Sequence, residues 1–100
     1  MIVARVLGTV VCTQKVSRLN GFKLQLVQAV NYQDFKGEGK PLVAVDTVGA
    51  GQGEIVLLVS GSSARQTELT QNTPVDAVIM AIVDTIDLDG KIIFNKEDEH

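Results

Sequence analysis

One hundred residues, a net charge of −3 from 9 Lys plus Arg against 12 Asp plus Glu, and a single cysteine bound what this chain can be. They leave no room for a second sizeable domain, permit no intrachain disulfide, and argue against a nucleic-acid binder, which needs a basic face to neutralise phosphate. Four aromatics, Phe22, Tyr32, Phe35 and Phe94, are thin material for stacking bases. No run approaches the roughly 18 apolar residues of a membrane span. The start, Met1 to Val6, lacks a basic region followed by a true apolar one, so no signal peptide is expected and a reducing, cytoplasmic setting is.

In chain order, residues 2 to 13 are dense in Val, Ile, Thr and Leu and predict a strand. Gly8 inside that run predicts a bend or bulge, as where a small barrel turns a corner. Lys15 to Gly21 is a polar connection ending in the turn signal Asn20-Gly21. Phe22 to Asn31 predicts a second strand, with Leu24, Leu26 and Gln28 on one face and Lys23, Gln25 and Val27 on the other. Asn31 to Pro41 reads as an exposed loop or hairpin tip, and Leu42 to Val48 as a short third strand. A turn with glycines at alternate positions follows, Gly49-Ala50-Gly51-Gln52-Gly53, and then a fourth strand from Glu54 to Ser60.

Gly61-Ser62-Ser63 is expected to cap a single helical turn carrying Ala64 and Arg65, with Thr67 to Thr73 as loop. A fifth strand is expected from Val75 to Ile86, a hairpin turn at Asp87-Leu88-Asp89-Gly90, and a last short strand from Lys91 to Phe94. The pattern predicts an all-β fold: a small five-stranded β-barrel of oligonucleotide/oligosaccharide-binding (OB) type with one short helical turn and a C-terminal hairpin. An antiparallel sandwich is the alternative. One domain covers residues 1–95, and 96–100 form a charged, frayed tail.

The fifth strand carries apolar residues on both faces at its centre: Val75, Ala77, Ile79, Ala81 and Val83 on one, Val78, Met80 and Ile82 on the other. An outer barrel face normally alternates to polar residues. Coverage by another copy of the chain accounts for the surplus, which makes Val78, Met80 and Ile82 candidate subunit-interface residues. The other reading is that the helical turn and long loops cover it from within.

No catalytic set emerges. The glycine turn has the spacing G-x-G-x-G and leads into a strand, whereas a dinucleotide loop needs G-x-G-x-x-G leading into a helix. His100, the sole histidine, ends the chain, so none is available to orient Cys12 or a serine as nucleophile. One Cys and one terminal His make no zinc set, and no metal or cofactor is expected. Asp46, Glu54, Asp76, Asp84 and Arg65 are the remaining acid/base or ion-pair candidates. An ion pair from Arg65 that fixes a loop or subunit contact is the simpler reading than a carboxylate pair converging on a cleft.

Ala4-Arg5-Val6 with Gly8-Thr9-Val10-Val11, Lys23-Leu24 with Leu26-Val27, and Asp46-Thr47-Val48-Gly49-Ala50-Gly51-Gln52-Gly53-Glu54 form a combined pattern with Val56-Leu57, Gly61-Ser62-Ser63-Ala64-Arg65 and Ile82-Val83-Asp84. The pattern resembles the EutN/CcmL family of bacterial microcompartment vertex proteins along nearly the whole chain. Leu58 to Gln66, Pro74-Val75-Asp76 and Ile93-Phe94 followed by Lys96 look closer to its ethanolamine-type members. The resemblance implies an OB-like barrel assembling as a homopentamer that caps the vertices of a polyhedral shell, beside hexameric shell proteins, and catalyses nothing. Gly49, Ala50, Gly51, Gln52 and Gly53 are then expected at the five-fold axis, and Glu54 and Arg65 at the subunit contacts. A monomeric OB-type module binding nucleic acid or a polar ligand is the alternative from a different class.

Overall fold

Five strands close on themselves in the order β1-β2-β3-β5-β4, with β1 at Ile2–Val10, β2 at Lys23–Val30, β3 at Gly37–Asp46, β4 at Ile55–Ser60 and β5 at Ala77–Ile82. A two-stranded arm follows, β6 at Thr85–Leu88 and β7 at Lys91–Asn95. The structure, a computed structural model, describes residues 1–15, 17–19, 21–60 and 76–98. The helical turn expected from Gly61 to Gln66, with Arg65, lies outside the described residues, as does His100. Among the described residues, short 3₁₀ turns occur at Ser17–Leu19 and Lys96–Asp98.

All barrel pairings are antiparallel except β3 with β5, which run parallel and pair at Val45 opposite Val78 and Asp46 opposite Ile79. This short seam is where the barrel closes. The bend expected at Gly8 is present as a register shift between Val6 and Gly8 against β2. Inward alternation gathers Ala4, Val6, Val27, Ala44, Val56, Leu58, Ala77 and Ile79 into the main core. Each of the larger side chains there contributes about 1.5–3 kcal/mol by leaving water.

β1 stops at Val10 rather than running to residue 13, and three further expected boundaries move. β3 begins at Gly37 rather than Leu42, because Gly37 and Glu38 pair with Val30 and Ala29. Its polar first half looks like loop in sequence yet is held by backbone pairing. The loop proper is shorter: the Asn31 carboxamide accepts from the Gln33 N–H, Asp34 accepts from the Lys36 N–H, and Phe35 takes a positive φ of 57°. β3 also stops at Asp46, two residues before Val48.

The single strand expected from Val75 to Ile86 is the third correction. Ala81 faces Leu57 and Ile79 faces Leu58, so the ladder skips Met80. That bulge lets both Ile79 and Ile82 turn toward the main core. The chain then leaves the barrel, with the Val83 N–H donating to the Ile55 carbonyl, and restarts as β6.

The outer side of β5 is covered from within at Val78. Val78 and Val45 are buried under Leu19, Phe22, Leu24 and Val59, so the connection after β1 does the covering that a long helix would otherwise supply. Only Met80 keeps substantial exposure, 36%.

The arm is anchored by Phe94, which packs with Val30, Ile55, Phe35 and Ile86 and stacks tilted on Phe35 at 5.5 Å between ring centroids. Its turn is the expected one. Asp89 and Gly90 both have positive φ (53° and 81°), and the Gly90 N–H donates to the Asp87 carboxylate at 3.0 Å. Beyond β7, the Lys96 N–H donates to the Asp84 carbonyl, so the charged tail begins as a fastened segment.

Candidate assembly site around the glycine turn

Alternation along β3 turns Asp46 inward at the strand's last position, directly under the chain that follows. Its Oδ1 accepts from the N–H groups of Val48 and Gly49, both at 2.9 Å. Its Oδ2 accepts from the Ala50 N–H at 2.8 Å and from Gln25 Nε2 at 3.1 Å. The same Gln25 nitrogen donates to the Ala50 carbonyl at 2.7 Å, while Gln25 Oε1 accepts from Thr9 Oγ1 at 3.0 Å. Gln25 and Asp46 are both buried. Burial of such groups is tolerated only when their hydrogen bonds are made, and here one carboxylate organises three consecutive amides.

Glu54 holds the far side of the turn. Its Oε1 accepts from the Gly51 N–H at 2.6 Å, its own N–H donates to the Gly51 carbonyl at 3.2 Å, and its carbonyl accepts from the Val6 N–H. The Gly53 N–H donates to the Val6 carbonyl, and Arg5 Nη1 donates to the Gly53 carbonyl at 3.1 Å. The N–H groups of Val48, Gly49, Ala50, Gly51, Gly53 and Glu54 are therefore all engaged within the chain. A phosphate-binding loop must leave such donors free to converge on an anion, so geometry joins spacing against the nucleotide reading.

The glycines divide the work. Gly49 (φ 78°) and Gly53 (φ 87°) occupy the left-handed region that side chains avoid. Gly51 has ordinary φ, but a Cβ there would meet Glu54 Oε1 at 3.3 Å. Ala50 is wholly buried and belongs to the main core, while Gly49, Gln52 and Gly53 face outward. Among the five residues expected at an axis, these three carry the exposed surface of the turn.

Glu54 Oε2 meets Lys96 Nζ at 2.6 Å, which ties the turn to the segment after β7. The Lys96 hydrogen bond, then that of the Gly51 N–H, hold the Glu54 carboxyl below its ordinary range against the opposing effect of burial. Glu54 in turn raises Lys96. A carboxylate with a lowered folded pKa adds stability above its unfolded value near 4.5 and loses it as pH falls through the lower folded one. Lys96 adds stability below about 10.5 and loses it as pH rises through its higher folded value. Glu54→Gln should thus lower stability in the neutral region, where the carboxylate's contribution is present, and converge with the unmodified chain toward pH 3, flattening the acid limb measured by urea unfolding from pH 6 to 3. An unaltered acid limb would show that the pair contributes nothing.

Between turn and arm runs an open groove of about 1040 Å³, bordered by Arg5, Gln52, Glu54, Asp84, Phe94 and Lys96. Of the expected interface residues, Met80 is exposed, Glu54 is engaged by Lys96, Val78 is fully buried, and Ile82 packs against the main core. Sequence reasoning missed Thr9, Gln25 and Lys96. Gln25 had a signal, a polar residue sharing a strand face with Val27, and Asp46 had one in its two-residue lead over Val48. Nothing local marks Lys96 as the partner of Glu54.

The family model described as "Ethanolamine utilisation protein EutN/carboxysome" matches residues 1–84. The chain belongs to the EutN/CcmL family. It is 44% identical over 96 residues to the bacterial microcompartment shell vertex protein EutN of Salmonella typhimurium, covering 96% of each chain. It is 42% identical over 100 residues to the carboxysome shell vertex protein CcmL of Nostoc sp., covering 100% of this chain and 99% of that one. Among solved structures, Nostoc CcmL superposes with a TM-score of 0.88 at 45% identity, over 96% of this chain and 100% of that one. The GrpN pentameric microcompartment shell protein of Rhodospirillum rubrum gives 0.77 at 43% identity, over 88% and 99%. Identities to the ethanolamine and carboxysome members of EutN/CcmL lie within a few per cent of each other, so the similarity attaches to the family rather than to one branch.

Proposed function

We propose that this chain is a structural shell protein, five copies of which form a ring at the vertices of a polyhedral bacterial microcompartment in the cytoplasm. The observation that carries this reading is end-to-end similarity to relatives named shell vertex proteins, together with the superposition on a shell protein described as pentameric. A shell tiled by hexagons cannot close without five-fold units, so hexameric shell proteins are its neighbours. The role is structural rather than catalytic: the turn that organises the chain spends its carboxylates on its own amides.

The glycine turn faces the five-fold axis in this reading, with Gly49, Gln52 and Gly53 outermost and Ala50 and Gly51 behind them. Met80 contacts the neighbouring copy; Glu54, through Lys96, and the inward-packed Val78 and Ile82 support the contact surface from behind. Native mass determination tests the assembly, and a monomer or dimer would overturn it. Gln52→Trp tests the placement, since Gln52 is exposed in the single chain. Five indoles crowding an axis should weaken or abolish the five-subunit species while the subunit stays folded. An undisturbed ring would put the turn elsewhere.

A further inference from the structure

A five-fold ring imposes a condition that a two-fold dimer does not. Its interface is heterologous, so each subunit must carry two different patches that fit each other. Two apolar patches of suitable kind stand out on the described surface. The first is a shoulder beside the glycine turn. In the parallel seam Asp46 lies opposite Ile79, so Thr47 and Val48 on one side and Met80 on the other continue from the same end of the pairing, and Thr47 Oγ1 donates to the Ile79 carbonyl at 2.9 Å. Val48 is 41% and Met80 36% exposed.

The second patch is the end of the arm. Ile86 lies opposite Phe94, and both pack on the chain's own barrel. Leu88, two residues further along the same face and opposite Lys91, is 52% exposed, whereas the register shift after Ile86 sets Ile92 opposite Asp87 on the arm's other face. A face that starts on one barrel and ends in solvent lacks the surface that would cover its last residue, and a two-stranded hairpin is marginal unless something packs on it. The charges match as well. The arm's turn carries exposed Asp87 and Asp89. The shoulder end of the barrel carries exposed Lys23, opposite Asp46 in the β2–β3 register, and Lys15, whose ammonium lies 3.4 Å from the Phe22 carbonyl.

We propose that the β6–β7 arm of each copy docks on the Val48–Met80 shoulder of the next, with Leu88 as the apolar anchor and the acidic turn at Asp89 facing Lys15 and Lys23. This rests on the pentameric reading above and names the surfaces that build the ring. Docking in one direction around the ring places every arm on a neighbour and leaves no free end.

The test compares the unmodified chain with Leu88→Asp and with Met80→Glu by native mass. Both variants should lose the five-subunit species while keeping the circular dichroism spectrum of the unmodified subunit. In a Cys12→Ser background, Leu88→Cys with Met80→Cys should give, on mild oxidation, a ladder of covalent species up to five subunits, and either cysteine alone at most dimers. If the unmodified chain forms no five-subunit species, the pentameric reading itself fails. If it does, but the arm variant assembles normally or the double-cysteine ring yields no ladder, the ring stands and this docking is wrong. Should an acidic variant unfold, the cysteine ladder decides.

Discussion

Replacing Asp46 with alanine should destabilise the subunit by about 3–5 kcal/mol, because several hydrogen bonds lose their acceptor at once and each buried group left unsatisfied costs about 1–3 kcal/mol. The buried Ala50 N–H would be stranded, Gln25 would lose one acceptor while keeping the Ala50 carbonyl and Thr9, and the Val48 and Gly49 amides would lose their anchor. Against a total stability of about 5–15 kcal/mol for a domain, that is a large fraction. Urea unfolding should show a lower midpoint at an unchanged slope, since the surface exposed on unfolding is much the same. Asp46→Asn should fall between, because a carboxamide can replace one accepting oxygen and not both. A loss below about 1 kcal/mol for the alanine variant would mean the turn finds other partners.

The second large effect belongs to Ile79. It is wholly buried in the main core and is one of two β5 residues that close the barrel against β3. Ile79→Ala removes packed methyls and opens a cavity, at a cost of about 2–5 kcal/mol. Met80→Ala, one residue along, should leave the subunit's own stability within about 0.5 kcal/mol, since Met80 sits on the bulge with its side chain part-exposed. Equal losses at the two positions would contradict the alternation break that the bulge creates.

Much of the barrel was legible in the chain because strand periodicity is a local signal. β1, β2 and β4 fall where Val- and Leu-rich runs alternate, and Asp87 to Gly90 names its own turn. What was not legible depends on distant partners. Nothing near Gly37 announces a strand until Val30 is known to lie opposite. The bulge at Met80 exists because β4 and β5 must keep both Ile79 and Ile82 on the core side, a demand that a simple period-two reading of β5 misses. The glycine turn was located correctly in sequence, but its internal logic was not. The alternating glycines suggest close approach by another molecule, whereas Gly51 makes room for Glu54 of its own chain and Asp46 supplies the anion that the amides await. The surplus apolar face is divided between two environments. Leu19 and Phe22 account for Val78, and only Met80 is left over.

The order of strands around the barrel also sets a timetable for synthesis. β1 lies between β2, its neighbour in sequence, and β4, whose pairing runs from Arg5 opposite Ile55 to Ile2 opposite Leu58. The emerging β1–β2–β3 meander can form early, but its first strand keeps an unpaired edge until nearly sixty residues have left the ribosome. The ring of strands is complete only when β5 arrives to join β3 and β4. Contacts of such long sequence separation fold slowly, and a half-built sheet with a bare edge is prone to pair with another nascent chain. For the five-copy ring proposed above, the interval between Asp46 and Ala77 is the time in which correct and incorrect self-association compete, and a slow decoding step in that interval would favour the wrong one.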